Sequence, residues 1–320
     1  MPSRVTPLPK SDRFPAPAIL AIETSDFESM AQAFLRWDHR FEQLDRGRFH
    51  GALRFLDLDG VQLFDCAANL VIRCRGGRAP DSFTFSPIQP ANADALWRGR
   101  VLRPGMVNLA GPGQETDHRT CVNYRHTAIS VRRDLLDRVA RGLLGVGHEE
   151  LLGPRALEIG PARADQLTRT WRRLLRRPIG AVDSAPRLDP LEFAVDLVRV
   201  LADGRVVAPH RLTPARRLHA VRRAEEFARS RPRGRVSVLD LCECTGLSER
   251  GLHDAFVEVT GLAPKAYLTA LRLNQARHDL RAAGRDRGRV APIAHRYGFD
   301  RPGDFAAAYR RQFGELPSQT

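Results

Sequence analysis

The chain has almost no lysine. Lys10 and Lys265 are the two, and arginine supplies the remainder of its 51 basic residues. No apolar run approaches the roughly 18 residues that a membrane-spanning helix needs, so no membrane partner is expected. The first 17 residues hold five prolines and no apolar stretch, and residues 1–24 read as a flexible Pro-rich tail rather than a signal peptide. The five cysteines, an odd number at 66, 74, 121, 242 and 244, do not make a disulfide framework. Reduced thiols and a cytoplasmic setting are expected. No Gly-x-Ser-x-Gly, Walker or zincin pattern occurs, and Gly111-Pro112-Gly113 is too short for a phosphate loop. The absence of these motifs argues against an enzyme.

What is present is positive charge and a repeat. With 320 residues and 42% hydrophobic content the chain has room for two cores. Its formal net charge of +14 favours a polyanionic partner. The excess is densest over residues 211–320, with 21 basic residues against 12 acidic. That same stretch repeats itself. Leu241-Cys242, Gly246-Leu247, Leu252, Phe256, Gly261 and Pro264 return as Ile293-Ala294, Gly298-Phe299, Phe305, Tyr309, Gly314 and Pro317. Each copy reads as helix, glycine turn, helix.

In the first copy, residues 237–260, Ser237 and Asp240 form a capping-box pattern. Leu239, Leu241 and Cys242 face inward, Gly246 turns, and Ser248 caps the second helix. Ser248, Glu249, Arg250, His253 and Asp254 are left on or beside its outer face, where a helix-turn-helix reaches base edges. Asp254 is expected to orient Arg250. In the second copy, residues 290–313, Asp300 is the expected cap. Arg301, Pro302, Gly303, Ala306 and Ala307 lie outward, and Arg310 and Arg311 suit phosphates better than bases. A helix over 264–283 joins the copies and spans roughly 30 Å, close to one turn of B-DNA. Arg272 in that helix is expected to be a structural salt-bridge residue.

Upstream, residues 49–131 read as short strands with turns at Asp59-Gly60, Gly76-Gly77 and Pro104-Gly105. His118, Cys121 and His126 are placed on one strand over 117–131, with the two histidines on one face. Helical periods follow around Leu135–Val139, Leu167–Leu175 (ended by Pro178) and Pro190–Leu201. Residues 205–213 read as a linker, and a helix bearing Leu218, Val221, Ala224 and Ala228 opens the C-terminal part, residues 214–320.

Residues 218–319 resemble the DNA-binding domain of the AraC/XylS family of bacterial transcription regulators. The resemblance is carried by Leu241-Cys242, Gly246-Leu247-Ser248, Leu252, Phe256, Gly261-Leu262-Ala263-Pro264, Tyr267-Leu268, Arg272-Leu273, Ile293-Ala294, Tyr297-Gly298-Phe299, Phe305, Tyr309-Arg310, Phe313-Gly314 and Pro317. The ending Gly314-Glu315-Leu316-Pro317-Ser318 is similar to a subgroup that includes ethanolamine-operon regulators. The resemblance implies an α+β chain, in which residues 25–204 form a cupin-like β-barrel with flanking helices for effector binding and dimerisation. It implies double-stranded promoter DNA, a second copy of the chain, a small-molecule effector and, for an activator, RNA polymerase as partners. Its base-reading slots fall on Arg250, His253 and Asp254, and on Pro302, Gly303, Ala306 and Ala307. Two other classes are a DNA-tethered cupin-like enzyme and a nonspecific nucleic-acid-binding protein. Metal-binding cupins use a close His-x-His plus a carboxylate, which this chain lacks, so neither metal nor cofactor is expected. Cys242-Glu243-Cys244 is not a metal site either, because residues two apart on a helix point about 200° apart.

Overall fold

The computed structural model describes residues 18–34, 37–77, 81–92, 94–112, 114–152, 156–176, 189–207, 215–231, 236–284 and 288–320. The first half runs β1 (Ala18–Thr24), α1 (Phe27–Gln32), β2 (Asp38–Gln43), β3 (Gly51–Asp57), β4 (Val61–Ala68), β5 (Ile72–Gly77) and β6 (Ser82–Pro87). The short β7 (Leu96–Trp97) and β8 (Arg100–Val101) precede β9 (Met106–Ala110), β10 (Thr116–Arg119) and β11 (Tyr124–Arg132). Then come α2 (Arg133–Leu144), α3 (His148–Leu152), β12 (Ala156–Glu158), α4 (Pro161–Leu175), α5 (Pro190–Ala202) and β13 (Arg205–Val207). The second half is helical: α6 (Ala215–Arg229), α7 (Val238–Thr245), α8 (Glu249–Thr260), α9 (Pro264–Ala282), α10 (Val290–Arg296) and α11 (Pro302–Phe313). The chain is therefore α+β.

The strands form two sheets rather than one closed barrel. Eight strands run in the order β1-β3-β4-β11-β6-β9-β12-β13, and five in the order β2-β5-β10-β7-β8. The β3–β4 hairpin closes through Asp59 and Gly60, both at positive φ (54° and 107°), as a primed turn demands. The expected tail ends early: Ala18–Thr24 is a strand, paired with β3 from Ala18↔Asp57 to Thr24↔Gly51. Its Ile-rich stretch gains a ladder and a core face there. The expected linker likewise begins with β13, which pairs with β12; residues 208–213 lie outside the described residues. So does Pro178, the expected stop for α4.

Strand 117–131 divides in two. Residues 120–123 turn, with Asn123 at φ 53°, and β10 and β11 enter different sheets. Asn tolerates this left-handed conformation, which breaks the alternation assumed for a single strand. Gly76 marks a second constraint. At φ 137° its absent Cβ would lie 1.6 Å from the Asp38 carbonyl oxygen, so β2 can pair with β5 at this point against glycine alone.

Helices α2, α4 and α5 close the outer face of the larger sheet. Leu136, Val139, Trp171, Leu175, Leu197 and Val198 pack with Leu63, Ile129 and Val131. Asp189 caps α5 by accepting from the Leu191 amide at 2.8 Å, with Pro190 at the first helical position.

Candidate nucleic-acid interface and ligand cavity

Unit one forms because local signals agree. The Ser237 hydroxyl accepts from the Asp240 amide at 3.1 Å and Asp240 Oδ2 accepts from the Ser237 amide at 2.7 Å, which completes the capping box. Helix α7 ends at Gly246, φ 71°. Ser248 then caps α8 by accepting from the Gly251 amide at 3.2 Å. Leu252, Phe256 and Val259 are buried with Leu241, Val221 and Tyr267. Leu239, expected to face inward, is 67% exposed instead, because one turn of α7 suffices to reach the core through Leu241. Ser248, Glu249, Arg250, His253 and Asp254 are all exposed. The Asp254 carboxylate lies 3.7 Å from Nδ1 of the adjacent His253, both side chains more than half exposed.

Unit two follows the same plan with a different start. Arg301 occupies the cap position of α11 and Pro302 the first helical position, so Asp300 is not the cap. Proline sets the start: its φ is already helical and it has no N–H to satisfy. Phe305, Tyr309 and Phe313 are buried against α9 and α10. Arg301, Gly303, Ala307, Arg310 and Arg311 are exposed, and Ala306 is partly so. Arg272 of the joining helix lies over the Phe299 ring, 5.6 Å from its centroid, rather than toward the outer faces. Cys242 and Cys244 are partly buried free thiols, and burial raises the Cys244 thiol above its usual range.

Charge separates the two kinds of arginine. Among the described residues, no ion pair engages the side chains of Arg250, Arg301, Arg310 or Arg311. Other arginines of the same helical half are neutralised. Arg222 pairs with Glu115 and Asp117, Arg229 with Glu42, Arg277 with Asp26 and Glu315, and Arg296 with Asp279. Both second helices thus carry exposed arginine without an ion pair among the described residues, as α6 does at Arg216 and Arg223.

The two halves share a core and a polar seam that sequence reading missed. Phe27 of α1 stacks on Phe313 of α11, with centroids 6.1 Å apart. Arg73 of β5, fully buried, bonds Asp117 at 3.1 Å, the Tyr267 hydroxyl at 2.9 Å and Glu225 of α6. Burial pushes the Asp117 carboxyl up, but Arg73 beside it more than offsets this and holds the group below its ordinary range. At the end of β2, Gln43 bonds both Asn274 of α9 and Gln312 of α11. One signal was available. Asn274 stands within the apolar run Leu271, Leu273, Ala276, where a polar residue needs a buried partner.

Between the two sheets lies a cavity of about 50 Å³. His39 and Phe41 of β2, Trp97 and His118 wall it from the smaller sheet's side. Phe64, Cys66 and His126 wall it from the larger sheet. His118 and His126 do share a space, with ring centroids 6.0 Å apart, but they reach it from opposite sheets. Cys121 is buried beside Ile88 and Tyr124 instead. No group of three or more His, Cys, Asp or Glu side chains among the described residues is placed to hold a metal. No helix among them is long and apolar enough to cross a membrane.

Comparison with known proteins bears on the helical half. Residues 241–320 match the family described as a helix-turn-helix domain. The chain is 34% identical over 98 residues to the XylDLEGF operon transcriptional activator of Pseudomonas putida, which covers 31% of this chain and 30% of that protein. It is 40% identical over 77 residues to the HTH-type transcriptional activator RhaS of Escherichia coli (strain SE11), covering 24% and 27%. These matches therefore span less than a third of the relatives' length. A crystal structure of a probable AraC family transcriptional regulator from Rhodopseudomonas palustris CGA009 is 34% identical over 32% of this chain and 94% of its own, with a TM-score of 0.29. By its C-terminal third, a doubled helix-turn-helix with this spacing, the chain belongs to the AraC/XylS family.

Proposed function

We propose that the protein is a sequence-specific DNA-binding transcription regulator that acts as a homodimer and answers to a small molecule. The observation that carries this reading is the distribution of arginine. Arg250 on α8 and Arg301, Arg310 and Arg311 on α11 stand exposed and unneutralised, on the helices that a helix-turn-helix presents to DNA. Unit one also offers His253 and Asp254 to base edges, whereas unit two offers Gly303, Ala306 and Ala307. Unit one is thus the reader and unit two the positioning clamp. The transcriptional activators among its relatives favour activation, with RNA polymerase as the further partner. The inter-sheet cavity is the place for the effector.

The test is selection of bound duplexes from a random-sequence pool by the full chain, followed by competition with unrelated DNA. A defined motif, bound at least a thousandfold more tightly than unrelated sequence, is the expected result. Equal competition by unrelated DNA would instead establish a nonspecific nucleic-acid-binding protein.

A further inference from the structure

We propose that the cavity between the sheets takes a small uncharged ring compound, and that the edge strand β2 passes its presence to the helical half. The second clause rests on the regulator reading above; the first does not.

The chemistry of the walls sets the ligand class. Trp37, Phe64, Trp97 and Tyr124 present ring faces and edges, and no Arg, Lys, Asp or Glu lines the space. The charged residues of the same strands are spent elsewhere. Arg73 and Asp117 bond each other and α6, Glu42 bonds Arg229, and Asp65 bonds Arg125 and Arg172. A charged ligand would lose its hydration with no permanently charged side chain to replace it, which costs several kcal/mol or more. A neutral ring meets aromatic partners and takes its orientation from Asn108 and the imidazoles of His39, His118 and His126.

The size of the space links binding to movement. At about 50 Å³ it is well short of the roughly 150 Å³ that accommodates benzene. A ring enters by pushing the walls apart. Met30, an unbranched thioether, yields by changing rotamer. Of the strands in the wall, β2 is the one held on a single side, since it is the edge of its sheet and pairs with β5 alone. Beside its free edge lies a second space of about 270 Å³, lined by consecutive residues 38–42 of the strand and by Arg229, Asn274 and His278 among others. The strand therefore has a push on its inner face, through His39 and Phe41, and room beside its unpaired edge. Its last residue, Gln43, holds α9 and α11, so displacement of β2 loosens the grip on both.

Two of the three tryptophans, Trp37 and Trp97, line the cavity, while Trp171 belongs to the other core, so fluorescence reports occupancy directly. The full chain is titrated near neutral pH with phenol and benzyl alcohol, and in parallel with benzoate and benzylammonium. The expected result is a saturable change with the neutral rings at concentrations at least tenfold lower than with either ion. Equal response to an ion, or no saturable response to either neutral ring, overturns the ligand class. Asn108→Leu, which takes up space without adding a ring and removes the orienting amide, is expected to abolish the response while the chain still melts cooperatively; a retained response places the ring elsewhere and overturns the site. Hydrogen exchange then reads the relay without DNA. The saturating neutral ring is expected to accelerate exchange of the 38–43 amides severalfold, and unchanged or slower exchange there overturns the relay. A selected DNA motif without any neutral-ring response removes the cavity proposal alone, and a ring response without a motif removes the regulator reading alone.

Discussion

The Gln43 amide donates to Asn274 Oδ1 at 2.9 Å, and Asn274 Nδ2 donates back to the Gln43 carbonyl oxygen at 3.1 Å. The asparagine side chain thus stands in for the next strand of the smaller sheet at the end of β2, and it does so from the helix that joins the two helix-turn-helix units. Both residues are buried, so neither bond has water as a substitute. The Gln43 carbonyl also accepts from Gln312 at 2.9 Å, but its amide has Asn274 as its partner.

Asn274→Ala is therefore expected to leave a buried N–H without an acceptor. The cost is about 1–3 kcal/mol of folding stability. Urea unfolding of the full chain measures it, as a lower midpoint. Since the bond joins the two halves, the transition is also expected to broaden as the helical half separates from the sheets before global unfolding. A midpoint equal to that of the unsubstituted chain would mean that the seam is held by the arginine pairs alone.

The helical half was legible in sequence because its signals are local. Capping boxes, glycine turns and 3.6-residue periods act within a dozen residues, and Ser237, Gly246, Ser248 and Gly298 stand as read. The seam was not legible because its residues find their partners far along the chain. Strand β2 reads Asp-His-Arg-Phe-Glu-Gln, an alternation with two aromatic members and no aliphatic run. What buries Glu42 and Gln43 is Arg229, Asn274 and Gln312, roughly 190–270 positions away. Periodicity carries no information at that range. The histidine pair was misread for a smaller reason: Asn123 turns the chain, and one missed turn moved His118 and His126 onto different sheets.

Glu28 gives the seam a pH dependence. It lies on α1 near Arg277, Arg281, His278 and Asp26, and burial pushes its carboxyl up to about 7 although Arg277 opposes the shift. Below about pH 4.5 the group is protonated in both the folded and the unfolded chain. Above that the unfolded chain releases the proton while the folded chain keeps it until about pH 7. Its contribution to stability therefore falls as pH rises through that window, by roughly 3 kcal/mol in all. Glu28→Gln is expected to remove this fall, so the variant gains on the original chain from pH 5 to pH 8 in paired denaturation curves. Asp65 and Asp117 act in the opposite sense. Both are held below the usual carboxylate range against burial, Asp65 by Arg125, Thr127 and Arg172, and Asp117 by Arg73. The stability they confer is present above the ordinary aspartate range and is lost as the medium turns acid.

Arg310 tests the clamp role of unit two. It is exposed on the last turn of α11 and carries no intramolecular counter-ion among the described residues. As a phosphate partner it is expected to add about one to the salt slope of binding, because each neutralised phosphate releases close to one counter-ion. Arg310→Ala should then weaken binding to selected and unrelated duplexes alike, and reduce the slope of log affinity against log salt by about 0.9. Loss confined to the selected sequence would make Arg310 a base reader instead.

Arg250 tests the reader role of unit one. It stands in the first turn of α8, where the Ser248 cap fixes the helix start and points the neighbouring side chains outward. A guanidinium there matches the O6 and N7 acceptors of guanine, a bidentate contact worth about 1–3 kcal/mol of discrimination. Arg250→Ala is expected to lower affinity for the selected motif by that amount and to flatten preference at one base pair, with the salt slope nearly unchanged. Replacing Ala307 on α11 with glycine, by contrast, should leave hydrogen-bonded preference at every position intact, because alanine has no donor or acceptor to lose and offers the bases only methyl contact. A repeat of the random-pool selection with each variant reads both outcomes. Preference lost equally in the two halves of the motif would remove the asymmetry between the units, since a reader and a clamp built on one skeleton must differ in what their outer faces can discriminate.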